Sequence, residues 1–317
     1  MDAAAFLADL EAKPAALLAL LGQLPDWPVV GTGPIVLTGM GSSWFAADVG
    51  ARRLRRHGIN AVAELASVEA TLPPSPDLTL IGITASGRSA ETVSLLAAHD
   101  GVTRTIALTN DDAVVLPSNH TVLMHAGIES GGVACRTYLH TLVALLALEE
   151  QLTDAALRLG ERVRRSAAAI AYLLDRRDGW MPALLESIEG TEGVWMLAPA
   201  ERLGSALQGA LMVREGPRRA ADGCETGDWN HVDVYLTKTL DYRAVLFTGS
   251  RFDADALKWM ADRRSHVVTV GPDPVELLDG ISSAVRYPGD DDPVVALLTE
   301  VLVAELLAAH WWLASAP

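Results

Sequence analysis

Leu78–Ala98 reads L-T-L-I-G-I-T-A-S-G-R-S-A-E-T-V-S-L-L-A-A. Leu78 to Ile83 is an apolar run of strand length, and Thr84 to Ser89 then gathers three hydroxyls, a glycine and an arginine. From Ser89 onward Val93, Leu95, Leu96 and Ala97 supply the apolar face of a helix. Such a turn leaves backbone N–H groups and the positive end of the helix dipole facing outward, which suits an anion. An ordinary capped helix after a buried strand has the same look. Ser89 reads as the N-cap, with Glu91 and Thr92 in the first turn.

Outward from this stretch the unit repeats. Ile35–Thr38 is a strand, Gly39-Met40-Gly41-Ser42-Ser43 a turn, and Trp44 to about Arg56 a helix. Ala61–Leu65, Thr103–Leu108 and His120–Met124 read as further strands. Upstream, Ala3–Leu21 reads as one amphipathic helix and Pro25–Pro34 as a linker. Gly131–Leu148 becomes a nearly all-apolar helix, and Asp154–Arg177 a charged amphipathic helix bridging two halves.

After Gly179 the same order comes round again. Strands are expected at Gly193–Leu197, Arg243–Phe247, His266–Val270 and Ala284–Tyr287, and helices at Leu203–Arg214, Asp253–Arg264 and Pro293–Leu313. Strands alternating with helices imply a duplicated α/β fold of the doubly wound type, with ligands at the C-terminal ends of the strands. The expected divisions are an N-terminal helix over 1–24 and two α/β domains over 25–178 and 179–317.

Composition narrows the function classes. A chain of 317 residues, half of them hydrophobic, holds enough apolar material for a large core or two medium ones. Its net charge of −15 argues against nucleic acid and anionic membrane as partners, so local groups must hold any anionic substrate. No apolar run reaches the roughly 18 uninterrupted residues of a membrane span. The acidic N-terminal stretch with Asp2, Asp9 and Glu11 does not look like a signal peptide. Two cysteines, Cys135 and Cys224, suit a reducing cytoplasm rather than a disulfide framework. No His/Asp/Glu cluster has metal-ligand spacing, and neither metal nor cofactor is expected; His57, His99, His125 and His266 read as surface or satisfied histidines.

Several motifs, in order, resemble one family. Thr84–Thr92 resembles the phosphate-holding loop of sugar isomerase (SIS) domains, and Gly41-Ser42-Ser43-Trp44 the G-T-S-Y/W turn of the same family. Gly132-Val133-Ala134-Cys135-Arg136-Thr137 is similar to its V-A-S-T-K helix start, and Glu11-Ala12-Lys13-Pro14 to its E-Q-P helix. Gly209-Ala210-Leu211 through Glu215 to Gly227-Asp228-Trp229-Asn230-His231 resembles a pattern of the isomerase part of glutamine–fructose-6-phosphate transaminase and its deaminase and deglycase relatives.

The resemblance implies two tandem SIS domains of flavodoxin-like topology and an enzyme acting on an (amino-)sugar phosphate. Moving a carbonyl between C1 and C2 needs a base that shuttles one proton and a group that opens the sugar ring. The resemblance gives Glu215 the first role and His231 the second, with the histidine arriving from a second subunit of a homodimer. On position alone Glu215, beside Gly216-Pro217, reads as a surface carboxylate, and His231 as a loop histidine. Ser42, Ser43, Thr84, Ser86, Ser89 and Thr92 match positions around the phosphate, and Val133 and Cys135 positions lining the sugar. Cys135 reads as pocket wall rather than nucleophile. Arg88 either adds a fork of donors to the anion or lies on the surface.

Departures shape the expectation. Ala85, Gln208, Met212 and Val232-Asp233 differ from the pattern, and Trp311–Pro317 holds no lysine of the kind that forms a Schiff base in the transaminase. A stand-alone isomerase, deaminase or deglycase is therefore expected rather than a complete glutamine-dependent transaminase. The other readings are a related enzyme on an unusual substrate and a non-catalytic sugar-phosphate sensor.

Overall fold

The computed structural model describes residues 1–69, 71–153, 156–272 and 281–315, the side chains of 281 and 282 excepted. The first half lays down α1 (Ala3–Glu11), α2 (Lys13–Leu20), β1 (Ile35–Gly39), α3 (Ser42–Arg56), β2 (Ala61–Leu65), β3 (Thr79–Ile83), α4 (Ala90–Ala98), β4 (Arg104–Thr109), β5 (His120–Leu123) and α5 (Arg136–Leu152). Then follow α6 (Leu159–Asp175), α7 (Arg177–Ile188), β6 (Val194–Ala198), α8 (Leu203–Glu215), β7 (Ala221–Glu225), α9 (Thr226–Trp229), β8 (Arg243–Phe247), α10 (Asp253–Asp262), β9 (His266–Val270), β10 (Ile281–Val285), α11 (Pro293–Thr299) and α12 (Val301–Ser315).

Two compact units result. One comprises Ala16–Ile128 with Ala134–Glu161; the other comprises Met1–Ala15, Glu129–Val133 and Arg162–Pro317. Each holds a five-stranded sheet, in the order β2-β1-β3-β4-β5 in the first and β10-β9-β8-β6-β7 in the second. Every strand pairing is parallel. Read from its other edge the second order is β7-β6-β8-β9-β10, the same winding as the first. Both are doubly wound α/β sheets, as the alternation of strands and helices predicts.

The central strands are covered on both faces, so they read as unbroken apolar runs. All of β1 and β3 is buried, and Val36, Leu80, Ala107 and Leu96 share a core. In the second unit Leu197, Trp229, Tyr242, Leu246 and Met260 do the same. There the rings of Trp195 and Tyr242 stack with centroids 4.4 Å apart, and the Trp229 indole donates to Tyr242 Oη at 2.7 Å.

Three expected helix boundaries need correction. The N-terminal helix is broken: α1 ends at Glu11 and α2 begins at Lys13. Pro14 has no N–H to give the Leu10 carbonyl, so the ladder cannot run through. Residues Pro293–Ser315 are, by length and composition, apolar enough to cross a membrane, yet 94% of that window is buried in the fold. Glu300 and Glu305 within it pair with buried Arg202 and Lys13. The apolar helix expected from Gly131 starts only at Arg136, after Gly132 at φ +74°. The bridging helix starts at Leu159, while Asp154 lies outside the described residues. His99 is buried and satisfied, with Nδ1 3.0 Å from Thr103 Oγ1.

Candidate functional site

In a sheet of order 2-1-3-4-5 the connections after the first and third strands leave for opposite faces, which opens a crevice at their C-terminal ends. In the first unit those strands are β1 and β3, paired in register with Thr38 opposite Gly82. The turn after β1 passes through Gly41 at φ +51° and carries Ser42 and Ser43 into the first turn of α3. The turn after β3 is closed by the Gly87 N–H donating to the Thr84 carbonyl at 3.1 Å. Gly87 has φ +66°, and a Cβ there would lie 2.8 Å from Val114 Cγ1, so glycine is required twice over.

The hydroxyls of this turn converge. Thr92 donates to Ser89 Oγ at 3.2 Å, Ser89 donates to a Glu91 carboxylate oxygen at 3.0 Å, and Ser86 Oγ accepts the Arg88 N–H at 3.3 Å. Thr84 Oγ1 accepts a long bond from the Ser89 N–H at 3.5 Å. Ser89 holds the N-cap position of α4 but makes no side-chain cap. A backbone N–H and the Ser89 hydroxyl hold the Glu91 carboxyl below its ordinary range. Arg88 lies on the surface, its side chain 76% exposed, with one ion pair to Asp111 at 3.3 Å. Thr84 and Thr92 are buried, and so are Val133 and Cys135. Val133 belongs to the second unit and Cys135 to the first. Trp44, named in the sequence only as the end of the G-T-S-Y/W-like turn, has a buried indole N–H that meets no acceptor among the described residues, which leaves a donor beside the turn after β1.

Glu215 is the last residue of α8. Partial burial pushes its carboxyl above the ordinary range, against a modest downward pull from Arg214. Among the described residues no hydrogen bond or ion pair engages it. His231 follows α9, whose Trp229 is wholly buried; the imidazole itself is exposed. No hydrogen bond or ion pair joins Glu215 to His231 within the chain. A half-buried, unengaged carboxylate with a raised pKa is equipped to take and return a proton.

The second unit repeats the crevice between β6 and β8, and here it is filled from within. Asp253 Oδ2 accepts the N–H groups of Gly249 and Ser250 at 2.6 and 3.0 Å. Arg202, buried beside them, donates to Glu300 at 2.9 Å and to the Thr248 carbonyl at 2.5 Å. The amides that could hold a ligand anion are held by the protein's own carboxylate. The D-A-D after T-G-S-R-F is the only trace of this in the sequence.

No protein-family model matches the chain. Curated relatives include glutamine–fructose-6-phosphate aminotransferases of Thermosynechococcus vestitus, 29% identical over 307 residues, and Pyrococcus horikoshii, 25% identical over 309. Each match takes in 87% of this chain and 48% of the relative, so the chain spans about half the length of the curated relatives it matches. Among solved structures, the C-terminal domain of glucosamine-fructose-6-phosphate aminotransferase from Francisella tularensis superposes with a TM-score of 0.80 at 15% identity, covering 98% of this chain and 95% of that one. Tagatose-6-phosphate ketose/aldose isomerase from Escherichia coli gives 0.74 at 19% identity, with 98% and 95% covered. Glucosamine-6-phosphate deaminase from Thermotoga maritima gives 0.75 at 15%, with 98% and 94% covered. Tandem parallel sheets of this winding are the SIS (sugar isomerase) fold of these structures, and the chain carries sequence likeness to the isomerase part of the aminotransferases.

Proposed function

We propose that the chain is an enzyme that isomerises or deaminates an (amino-)sugar phosphate by shuttling one proton between adjacent carbons through an enediolate. Glu215 is the base. The observation that carries this reading is its state: half-buried at the end of α8, its carboxyl raised by burial, with no hydrogen bond engaging it among the described residues. A carboxylate poised this way protonates and deprotonates more evenly than an exposed one. His231, exposed after α9, opens the sugar ring and does so in the site of a second subunit, which makes the working form a homodimer.

The phosphate lies on the turns after β1 and β3, held by Ser42, Ser43, Thr84, Ser86, Ser89 and Thr92 with the α4 N-terminus behind them. To enter, it displaces the Glu91 carboxylate from Ser89. Arg88, on the surface, adds charge at the rim; Val133 and Cys135 border the sugar. The relatives and structural neighbours named for fructose 6-phosphate, tagatose 6-phosphate and glucosamine 6-phosphate chemistry support this substrate class.

Incubation with fructose 6-phosphate, glucosamine 6-phosphate and fructosamine phosphates, followed by NMR, tests the reading. Turnover of one of them is expected in the parent, and loss of turnover with retained binding in Glu215→Gln. Full activity in that variant rules the mechanism out. Ligand-induced thermal stabilisation without product from any of the three favours a sensor instead.

A further inference from the structure

The turn that carries Glu215 out of α8 is gripped by two tryptophans at the end of α12. A Cβ on Gly216 would lie 2.7 Å from Trp312 Cε3, so the indole edge rests on the Gly216 backbone. Three residues on, the Arg219 guanidinium lies 3.9 Å above the Trp311 ring and bonds Glu189 at 2.7 Å. The Gly216 and Arg219 N–H groups return to the Met212 and Val213 carbonyls at 3.0 and 3.2 Å, and Arg218 between them has φ +57°. A non-glycine residue in that region is held there by its surroundings.

Trp312 has a second neighbour. Its ring centroid is 5.8 Å from that of Phe6, and Phe6 in turn covers Gly131, where a Cβ would lie 2.5 Å from Phe6 Cα. The Gly131 peptide is fixed on both sides: its N–H donates to buried Asp9 Oδ2 at 2.8 Å, and its carbonyl accepts the Asp2 N–H at 3.1 Å. Two residues later comes Val133. The line Gly216–Trp312–Phe6–Gly131 lies wholly within one unit. At one end a glycine lets the Trp312 indole approach the backbone, and at the other Gly131 lets the α1 backbone at Phe6 approach it.

We infer that Trp312 is a positioning residue: packed between Gly216 and Phe6, it sets where the Glu215 carboxylate stands relative to the Gly131–Val133 stretch. This rests on the reading of Glu215 as the base and of Val133 as a neighbour of the sugar. A base misplaced by about 1 Å costs on the order of a hundredfold in rate, so a bulky spacer at this point acts on kcat and leaves phosphate binding to the other unit untouched. Trp312 lies against the residue that follows Glu215, and Arg214 is the charged group acting on that carboxyl.

The test compares Trp312→Leu, which keeps apolar bulk without a ring, with Trp312→Phe, which keeps a ring. The readouts are the NMR titration of the Glu215 carboxyl, the Val133 methyl shifts, and kcat and KM on whichever sugar phosphate the parent turns over. Trp312→Leu is expected to move the Glu215 titration toward the ordinary carboxylate value, to displace the Val133 methyls and to lower kcat about tenfold with KM within about twofold. Trp312→Phe is expected to restore most of each. A folded Trp312→Leu protein with the parent's titration, methyl shifts and kcat overturns the inference, as does a Phe variant no better than Leu. Should Trp312→Leu not fold, Phe6→Leu interrupts the same line and is read by the same signals. The two NMR readouts need no substrate, so a parent inactive on every sugar phosphate refutes the proposed function and leaves the positioning claim to be judged on them.

Discussion

The Asp253 carboxylate accepts the Gly249 N–H at 2.6 Å, filling from inside the chain the place where, in the other unit, the turns after β1 and β3 carry the hydroxyls of Ser42, Ser43, Thr84, Ser86 and Ser89. Burial pushes this carboxyl up to about 6, against the pull of the Gly249 and Ser250 N–H groups and the charge of Arg202. A carboxyl raised in the folded state contributes stability that is fully present below the unfolded value near 4 and is lost as pH rises through about 6.

Asp253→Asn removes that titration. Relative to the parent, the variant is therefore expected to gain stability between pH 4 and pH 7, by about 2–3 kcal/mol across the window. Urea melts of both proteins at several pH values measure it. A stability difference that stays flat over the window contradicts the buried-carboxylate account.

Lys13 and Glu305 form an ion pair in which both side chains are almost fully buried. Removing one partner strands the other charge in the interior, which costs about 3–5 kcal/mol, while replacing both with apolar side chains is close to neutral. Lys13→Met and Glu305→Leu are each expected to lower the denaturation midpoint strongly, and the double variant to recover most of the loss. Additive losses in a double-mutant cycle contradict this.

In the proposed phosphate cradle, Thr84 is buried and its Oγ1 accepts the Ser89 N–H, whereas Arg88 is solvated. Thr84→Val is expected to weaken sugar-phosphate binding about tenfold, the worth of one hydrogen bond to a charged group. Arg88→Ala is expected to change it less than threefold at physiological salt, since an exposed, screened charge contributes little. Calorimetric titration of both variants checks the order, and a larger loss at Arg88 reverses it.

Much of the fold is legible in the sequence because buried parallel strands must be apolar throughout and their turns must be small. Leu78–Ile83 and Ile35–Thr38 show this plainly, and the cradle follows from them. β7, A-D-G-C-E, is not legible: it is an edge strand with Asp222 outward, and Gly223 is there because α8 comes close, a Cβ meeting the Ala206 backbone at 2.7 Å. The break at Ala12 turns on one proline within an otherwise unbroken helical pattern. Glu215 becomes a candidate only through the motif around it, since position alone marks a surface carboxylate. The contacts of Trp312 with Gly216 and Phe6 join residues far apart in the chain, and no local periodicity reports them.

Under the proposed role, the raised carboxyl of Glu215 sets the acid limb of the rate profile. A base must be ionised to work, so kcat is expected to fall as pH drops through a value above that of an ordinary glutamate. The pH dependence of kcat measures that limb. A limb at the ordinary carboxylate value removes the role given to burial.

The most direct measurement follows one hydrogen atom. In deuterated water the parent enzyme is expected to exchange the proton at the sugar carbon beside the carbonyl for deuterium, seen by proton NMR. Glu215→Gln, still binding the sugar phosphate, is expected to show no exchange above background. Exchange at the parent rate in Glu215→Gln would contradict the assignment of Glu215 as the base.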